Sequence, residues 1–197
     1  VARGGAEAVV GLAKMMGARA FTYADVPYRL LAYAGIVANP QKTIVFDSDR
    51  DRAARERVAA MGTDGRLVQH EGEPLLVTMA EKLLVPILAK VSNLVPGGGV
   101  WMNTGRPEWN DANNALVGNG VSVVTACHLH RHLDECASLF RASEEERVAI
   151  SSHVATWFRE LSAIVAANRT AMDDAGRRMF LDAVGESFSR YRETGEM

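Results

Sequence analysis

Apolar residues recur four apart through Met79, Leu83, Ile87, Val91 and Val95, and Leu84, Leu88 and Leu94 widen the stripe. That period is helical, and a stripe this wide predicts a helix packed between others. Thr78 stands at the N-cap position, and Pro86 is placed to kink the helix. Three long helical patterns follow, over 115–141, 144–168 and 173–193, with Ser143 and Glu146 spaced as a capping box. Their short connections predict antiparallel neighbours, so the second half reads as a succession of helical hairpins.

The first third is less regular. Short helices are expected over 7–16 and 28–37, the second stopped by Asn39-Pro40. Ile44, Val45 and Phe46 read as a strand, and 51–61 as a charged helix closed by Gly62. Asp64-Gly65 and Glu71-Gly72 mark turns around a strand-like RLVQ, which suggests a short β hairpin. The expected fold is therefore mainly α, with an irregular α/β segment over 1–76 and helical hairpins over 77–197.

Composition narrows the classes. The chain has 197 residues, 48% of them hydrophobic and 23% charged, with 22 Lys+Arg against 24 Asp+Glu. A length of this order suits one domain with a sizeable core. The near-neutral balance and interspersed signs argue against a nucleic-acid binder. No apolar run reaches the roughly 18 residues of a membrane span. Cys127 and Cys136 fall on one expected helix, more than about 13 Å apart by its rise, too far for a disulfide. Two free thiols imply a reducing, cytoplasmic compartment. The start, VARGGAEAVV, has neither an initiator Met nor the apolar core of a secretory leader, so the chain reads as a piece of a longer protein.

The chemistry concentrates in one connector, PGGGVWMNTGRPEWNDANN, residues 96–114. Three glycines allow a turn where side chains would clash. Trp101 and Trp109 lie among Asn103, Arg106, Glu108, Asn110, Asp111, Asn113 and Asn114. Loops presented by a rigid scaffold carry function, and this mixture fits a polyhydroxylated ligand: indole faces for ring C–H groups, amides and charges for hydroxyls. A carboxyl beside an indole is desolvated and its pKa raised, as protonation of a leaving group requires. Asp111 equally suits a helix cap, with Asn113 and Asn114 in the first turn, and the two roles are compatible.

Other patterns fit chemistry less well. His128, His132 and Cys136 share a helix face, but three in-line ligands span about 12 Å, too far for one tetrahedral ion. No metal and no cofactor is implied. Asp47, Asp49 and Asp51 imitate a calcium loop, yet Arg52 and Val58 occupy the places that need Gly and Glu. IVFDSD resembles the nucleophile strand of the haloacid-dehalogenase phosphatases, but no βα series follows; acids at a helix N-terminus are the simpler reading. Ser151, Ser152 and His153 adjoin without facing one another.

The run EKLLVPILAKVSNLVPGGGVWMNTGRPEWNDANNALVGNGVSVVT, residues 81–125, with RPEWNDANNAL its most specific part, resembles very large bacterial proteins of poorly defined function. These are akin to the helical-toroid, six-hairpin glycoside hydrolases and phosphorylases, the (α/α)6 barrels. The resemblance implies a toroid of paired helices whose loops bind sugar at one end. It makes Asp111 the general acid, with Glu108 as its neighbouring carboxylate. Trp101, Asn103, Arg106, Trp109, Asn110, Asn113 and Asn114 would line the sugar site. The partner implied is a carbohydrate, and the rest of a parent chain would complete the ring, since this chain supplies about half of twelve helices. The alternative is a noncatalytic sugar-binding or structural helical domain. If half a toroid is missing, the Leu83/Ile87/Val91 face should be bare and drive association.

Overall fold

The computed structural model describes residues 9–103 and 117–194. It is mainly helical with a few short antiparallel strand pairs. Following a helical stretch over 9–13, the elements are β1 (Arg19–Phe21), β2 (Tyr28–Leu30), α1 (Tyr33–Ala38), β3 (Ile44–Phe46), α2 (Ser48–Met61), a 3₁₀ turn (Gly62–Arg66), β4 (Gln69–His70), β5 (Glu73–Pro74), β6 (Val77–Thr78), α3 (Met79–Val91), β7 (Leu94–Val95), β8 (Gly99–Trp101), β9 (Val121–Ser122), α4 (Val123–Ala142), α5 (Ser152–Ala167) and α6 (Asp174–Thr194).

α3 is the centre of the molecule. Its Leu84 and Leu88 face a core of Val154, Trp157, Leu161, Phe180, Val184 and Tyr191 from α5 and α6. Its Leu83 and Ile87 face Val100, Leu129 and Cys136 from β8 and α4. The broad stripe thus marks a helix sandwiched on two sides, and it runs through Pro86 unbroken. The face expected to be bare is covered: Ile87 is buried, and Leu83 and Val91 pack beside it. Apolar exposure is greatest instead at Val123, Val124 and Met179.

Three free donors at the start of α3 are satisfied by other parts of the chain or by its cap. Met79 N–H reaches Ala18 O, Ala80 N–H reaches Met16 O, and Glu81 N–H reaches the Thr78 hydroxyl. The chain before β1 therefore closes this helix end, where orphan N–H groups would otherwise be buried. β1 pairs antiparallel with β6, Arg19 opposite Thr78. The boundary drawn at 76/77 is bridged by these bonds.

Among the described residues, only α5 and α6 form an antiparallel hairpin of the expected kind. Trp157, early in α5, stacks on Phe188 and Tyr191, late in α6. α4 and α5 are not joined in the same way; each packs on α3. The capping box at Ser143 is absent too. Ser143 ends α4, and α5 starts only at Ser152. Residues between them are drawn across the start of α3. Ala149 O accepts from Thr78 Oγ1, Ser151 donates to Glu81, and Val148 and Ile150 cover Met16 and Met79. Tertiary bonds to α3 outweigh a local cap worth about 1 kcal/mol.

The expected helix over 28–37 divides into β2 and α1. β2 pairs with β3, Tyr28 opposite Phe46. α1 docks on α6, where Tyr33 N–H bonds Ser189 Oγ and its hydroxyl bonds Asp182, both at 2.6 Å. The expected hairpin is β4–β5, turning at Glu71-Gly72. Asp47 caps α2 by accepting from Arg50 N–H and pairs with Arg29. Those bonds, the Arg50 N–H first, hold its carboxyl below the ordinary value. Asp49 and Asp51 sit in the first turn of α2. Cys127 is an exposed free thiol and Cys136 a buried one.

Among the described residues, no helix is long and apolar enough to cross a membrane, and no group of three or more His, Cys, Asp or Glu side chains could hold a metal ion.

Candidate functional site

The described residues on either side of the connector singled out by sequence form a neck built from β7, β8 and β9. These form one antiparallel sheet in that order. The VPGG turn between β7 and β8 is closed by Gly98 N–H to Val95 O at 2.9 Å, with Gly97 at φ 75°. Proline followed by a left-handed glycine is what a type II turn requires. Gly99 lies so close to β9 that a Cβ there would meet Ser122 O at 2.8 Å.

Beyond β8 the two sides of the loop are clasped. Met102 N–H bonds Gly120 O at 3.0 Å, and Gly118 N–H bonds Met102 O at 2.6 Å. The Trp101 indole N–H adds a third bond, to Gly118 O at 3.2 Å. Trp101 is half-buried, and its backbone N–H bonds Asn93 O at 2.7 Å.

Asn103 is buried, and its carbonyl accepts from the Thr43 hydroxyl at 2.7 Å. Its side-chain amide donates to Asn93 Oδ1. Asn93 Nδ2 in turn donates to Ala89 O at 2.8 Å, in the last turn of α3. The neck is thereby tied to α3 on one side and to the 40–43 segment on the other. Arg177 of α6 donates to Pro96 O at 3.0 Å and fixes the turn from below.

Of the residues chosen from sequence, Trp101 and Asn103 belong to this neck, and both spend polar groups in holding it. Arg106, Glu108, Trp109, Asn110, Asp111, Asn113 and Asn114 lie outside the described residues.

A second concave site has no counterpart in the sequence reading. The groove between α5 and α6 holds a cavity of about 380 Å³ lined by His153, Trp157, Glu160, Ser187, Arg190 and Tyr191, among others. Four aromatic rings form a column beside it. His153 stacks on Tyr191 at 5.6 Å between centroids, Tyr191 on Trp157 at 4.0 Å, and Trp157 on Phe188 at 5.0 Å. Glu160 accepts from Ser187 Oγ at 2.7 Å and from Arg190 at 2.8 Å. Those two bonds, the Ser187 one first, hold its carboxyl below the ordinary value, so it is ionised at neutral pH. His153 Nε2, Trp157 Nε1 and the Tyr191 hydroxyl are buried and have no hydrogen-bond partner among the described residues. Periodicity alone marks Trp157 as core. The signal that was available is a polar residue about one turn from two of the aromatics, Glu160 after Trp157 and Ser187 before Tyr191.

No protein-family model matches the chain, and no curated protein matches it.

Proposed function

We propose that the chain is part of a carbohydrate-active protein that hydrolyses or phosphorolyses glycosidic bonds, with Asp111 as the proton donor. The observation that carries this reading is the clasp at Met102, Gly118 and Gly120, which brings together, beside one sheet, the described residues on either side of the segment that contains Asp111. A catalytic carboxyl needs such a base, because small displacements of the acid cost large factors in rate. The resemblance of residues 81–125 to the toroidal glycosidases supplies the substrate class. The antiparallel α5–α6 pair is compatible with one hairpin of such a ring.

In this mechanism Asp111 protonates the glycosidic oxygen as the bond to the anomeric carbon breaks. Attack on that carbon comes from water, activated by a second carboxylate, or from phosphate. Glu108 stands close to Asp111 in sequence and is the nearest candidate for that second group. Trp109 desolvates the acid, and Arg106, Asn110, Asn113 and Asn114 bond ring hydroxyls. Asp111→Asn in the intact parent protein tests the role. Turnover falls by about 10²-fold or more while sugar binding persists; unchanged turnover removes Asp111 from the mechanism.

One observation favours a second reading, a noncatalytic sugar-binding or structural domain. The Trp101 indole N–H and the Asn103 amide are both engaged in the neck. Calorimetry with oligosaccharides, run beside an activity screen with and without phosphate, separates the two. Binding without cleavage selects the second.

A further inference from the structure

We propose that the cleft between the 24–27 segment and α2 binds a small monocarboxylate with a compact apolar body, an aromatic or branched aliphatic acid. The cleft shares no lining residue with the α5–α6 groove and lies outside the neck.

Two close approaches build it. The 24–27 segment is held from both sides, Asp25 N–H bonding Arg66 O and Asp47 N–H bonding Pro27 O, each at 2.8 Å. The 3₁₀ turn is pressed onto α2: a Cβ on Gly65 would meet Val58 N at 2.4 Å, and Arg57 Nε donates to Gly65 O at 3.2 Å. Only glycine permits that approach, and it brings Arg66 to the edge of the cleft. The enclosed cavity is about 230 Å³, with Val26 and Pro27 from the segment and Ala54 and Val58 from α2 among its walls. These walls suit a hydrocarbon body. The volume lies below the usual range for drug-sized ligands and limits that body to one ring or a short branched chain.

The polar lining sets the sign of the head group. Asp25, with its side chain 11% exposed, is held by two guanidinium groups, one oxygen by Arg50 and the other by Arg57. Both oxygens are thus engaged, and the triad keeps one positive charge in excess. Asp51 and Arg55 pair at 2.7 Å and cancel. Arg66 is exposed, lines the cavity and has no ion-pair partner among the described residues. Among the groups that line the cleft or hold its Asp25, four arginines stand against two aspartates. That excess attracts an anion and repels an amine. The planar fork of a guanidinium matches the two oxygens of a carboxylate. Four apolar walls offer no side-chain donor for the further oxygens of a phosphate.

The test follows the methyl resonances of Val26, Ala54 and Val58 in the ¹³C-labelled chain. The probes are benzoate and isovalerate, with benzamide, benzylamine and inorganic phosphate beside them. At least one of the two carboxylates shifts all three residues saturably, and benzamide binds about tenfold more weakly than benzoate or worse. Arg66→Ala weakens the carboxylate by about tenfold, with an unchanged melting transition, and Ala54→Leu abolishes binding by filling the cavity. Where Ala54→Leu lowers the melting transition, the surface variant Arg66→Ala decides alone. The proposal is overturned if neither carboxylate gives a saturable shift, or if benzamide or benzylamine binds as tightly as benzoate. Full affinity in Arg66→Ala overturns it, as do shifts given by phosphate alone.

Discussion

Ser151 holds both carboxylate oxygens of Glu81 across 70 residues of sequence. Its backbone N–H reaches Oε2 at 2.7 Å, and its hydroxyl lies 2.9 Å from Oε1 and from Oε2. Glu81 is in the first turn of α3, and Ser151 is the N-cap of α5. Glu81 is 2% exposed. The side chain lies at the N-terminal ends of two helices at once, where it accepts from donors that neither helix satisfies internally. Ser151 makes no cap bond within its own helix because its hydroxyl is spent on Glu81.

Glu81→Ala is therefore expected to destabilise the fold by about 1–3 kcal/mol, leaving the half-buried Ser151 donors unmet and a void beside α5. Glu81→Gln keeps one acceptor oxygen and should cost less. Urea denaturation of the two variants beside the parent chain measures the order, and an alanine variant as stable as the parent would contradict it.

Stability should fall in acid. Glu160 and Asp182 both have folded pKa values below the ordinary ones. For Glu160 the cause is the bonds from Ser187 and Arg190. For Asp182, burial pushes upward and is outweighed by the bonds from Arg178 and Tyr33. A depressed carboxyl stabilises the fold above its unfolded value, about 4, and that contribution is lost as pH falls through the folded value. Melting temperature should thus be level from pH 7 to about 5 and drop below about 4. Glu160→Gln with Asp182→Asn should flatten the drop, and an equally steep profile in the double variant counts against these two groups.

Gly185 lies under the Tyr33 ring, and a Cβ at this position would collide with it. Gly185→Ala is expected to cost about 1–3 kcal/mol by overpacking, despite the better helix propensity of alanine. Pairing it with Tyr33→Ala should recover part of the loss. Chemical denaturation of the single and double variants gives the coupling, and strict additivity would show that the two residues do not meet.

The two thiols should differ in reactivity. Cys127 is exposed; Cys136 is buried, and burial first, with Glu135 adding, raises its pKa. A thiol reagent at pH 8 should modify one equivalent in the folded chain and two in urea. Two equivalents without denaturant would mean that α4 leaves the surface of α3.

The neck should respond as a unit. Asn93→Ala removes both the acceptor for Asn103 and the donor to Ala89 O. It should lower stability by about 1–2 kcal/mol and, where the parent protein turns over a glycoside, reduce its rate more than its affinity. A change in affinity alone would place the neck in binding rather than in positioning.

Much of this architecture could be read along the chain. The stripe from Met79 to Val91 marked a helix, its cap at Thr78 and its burial on two sides, because those properties follow from the side chains of consecutive turns. Gly62 as the stop of α2, acids at its N-terminus and the turn at Glu71-Gly72 were legible for the same reason: each is settled within a few residues, although α2 starts at Ser48 with Asp47 as its cap and not at 51. Ser143 misled because a capping box is only a local preference, and the bonds from Thr78 and Glu81 to residues 149–151 override it. Residues 28–30 misled because strand β2 exists only where β3 lies beside it.

What the sequence by itself determined is where helices are possible, which stripe is buried and which loop concentrates aromatic and carboxamide side chains. Tertiary structure alone decided that α3 stands between α4 and the α5–α6 pair, that Glu81 serves Ser151, and that His153, Trp157, Glu160, Arg190 and Tyr191 share one groove. The physical reason is range. Propensity, capping and periodicity act over one or two helical turns, whereas the bonds that hold Glu160 and Tyr33 come from residues 30 and 156 positions away that only the packed core brings together.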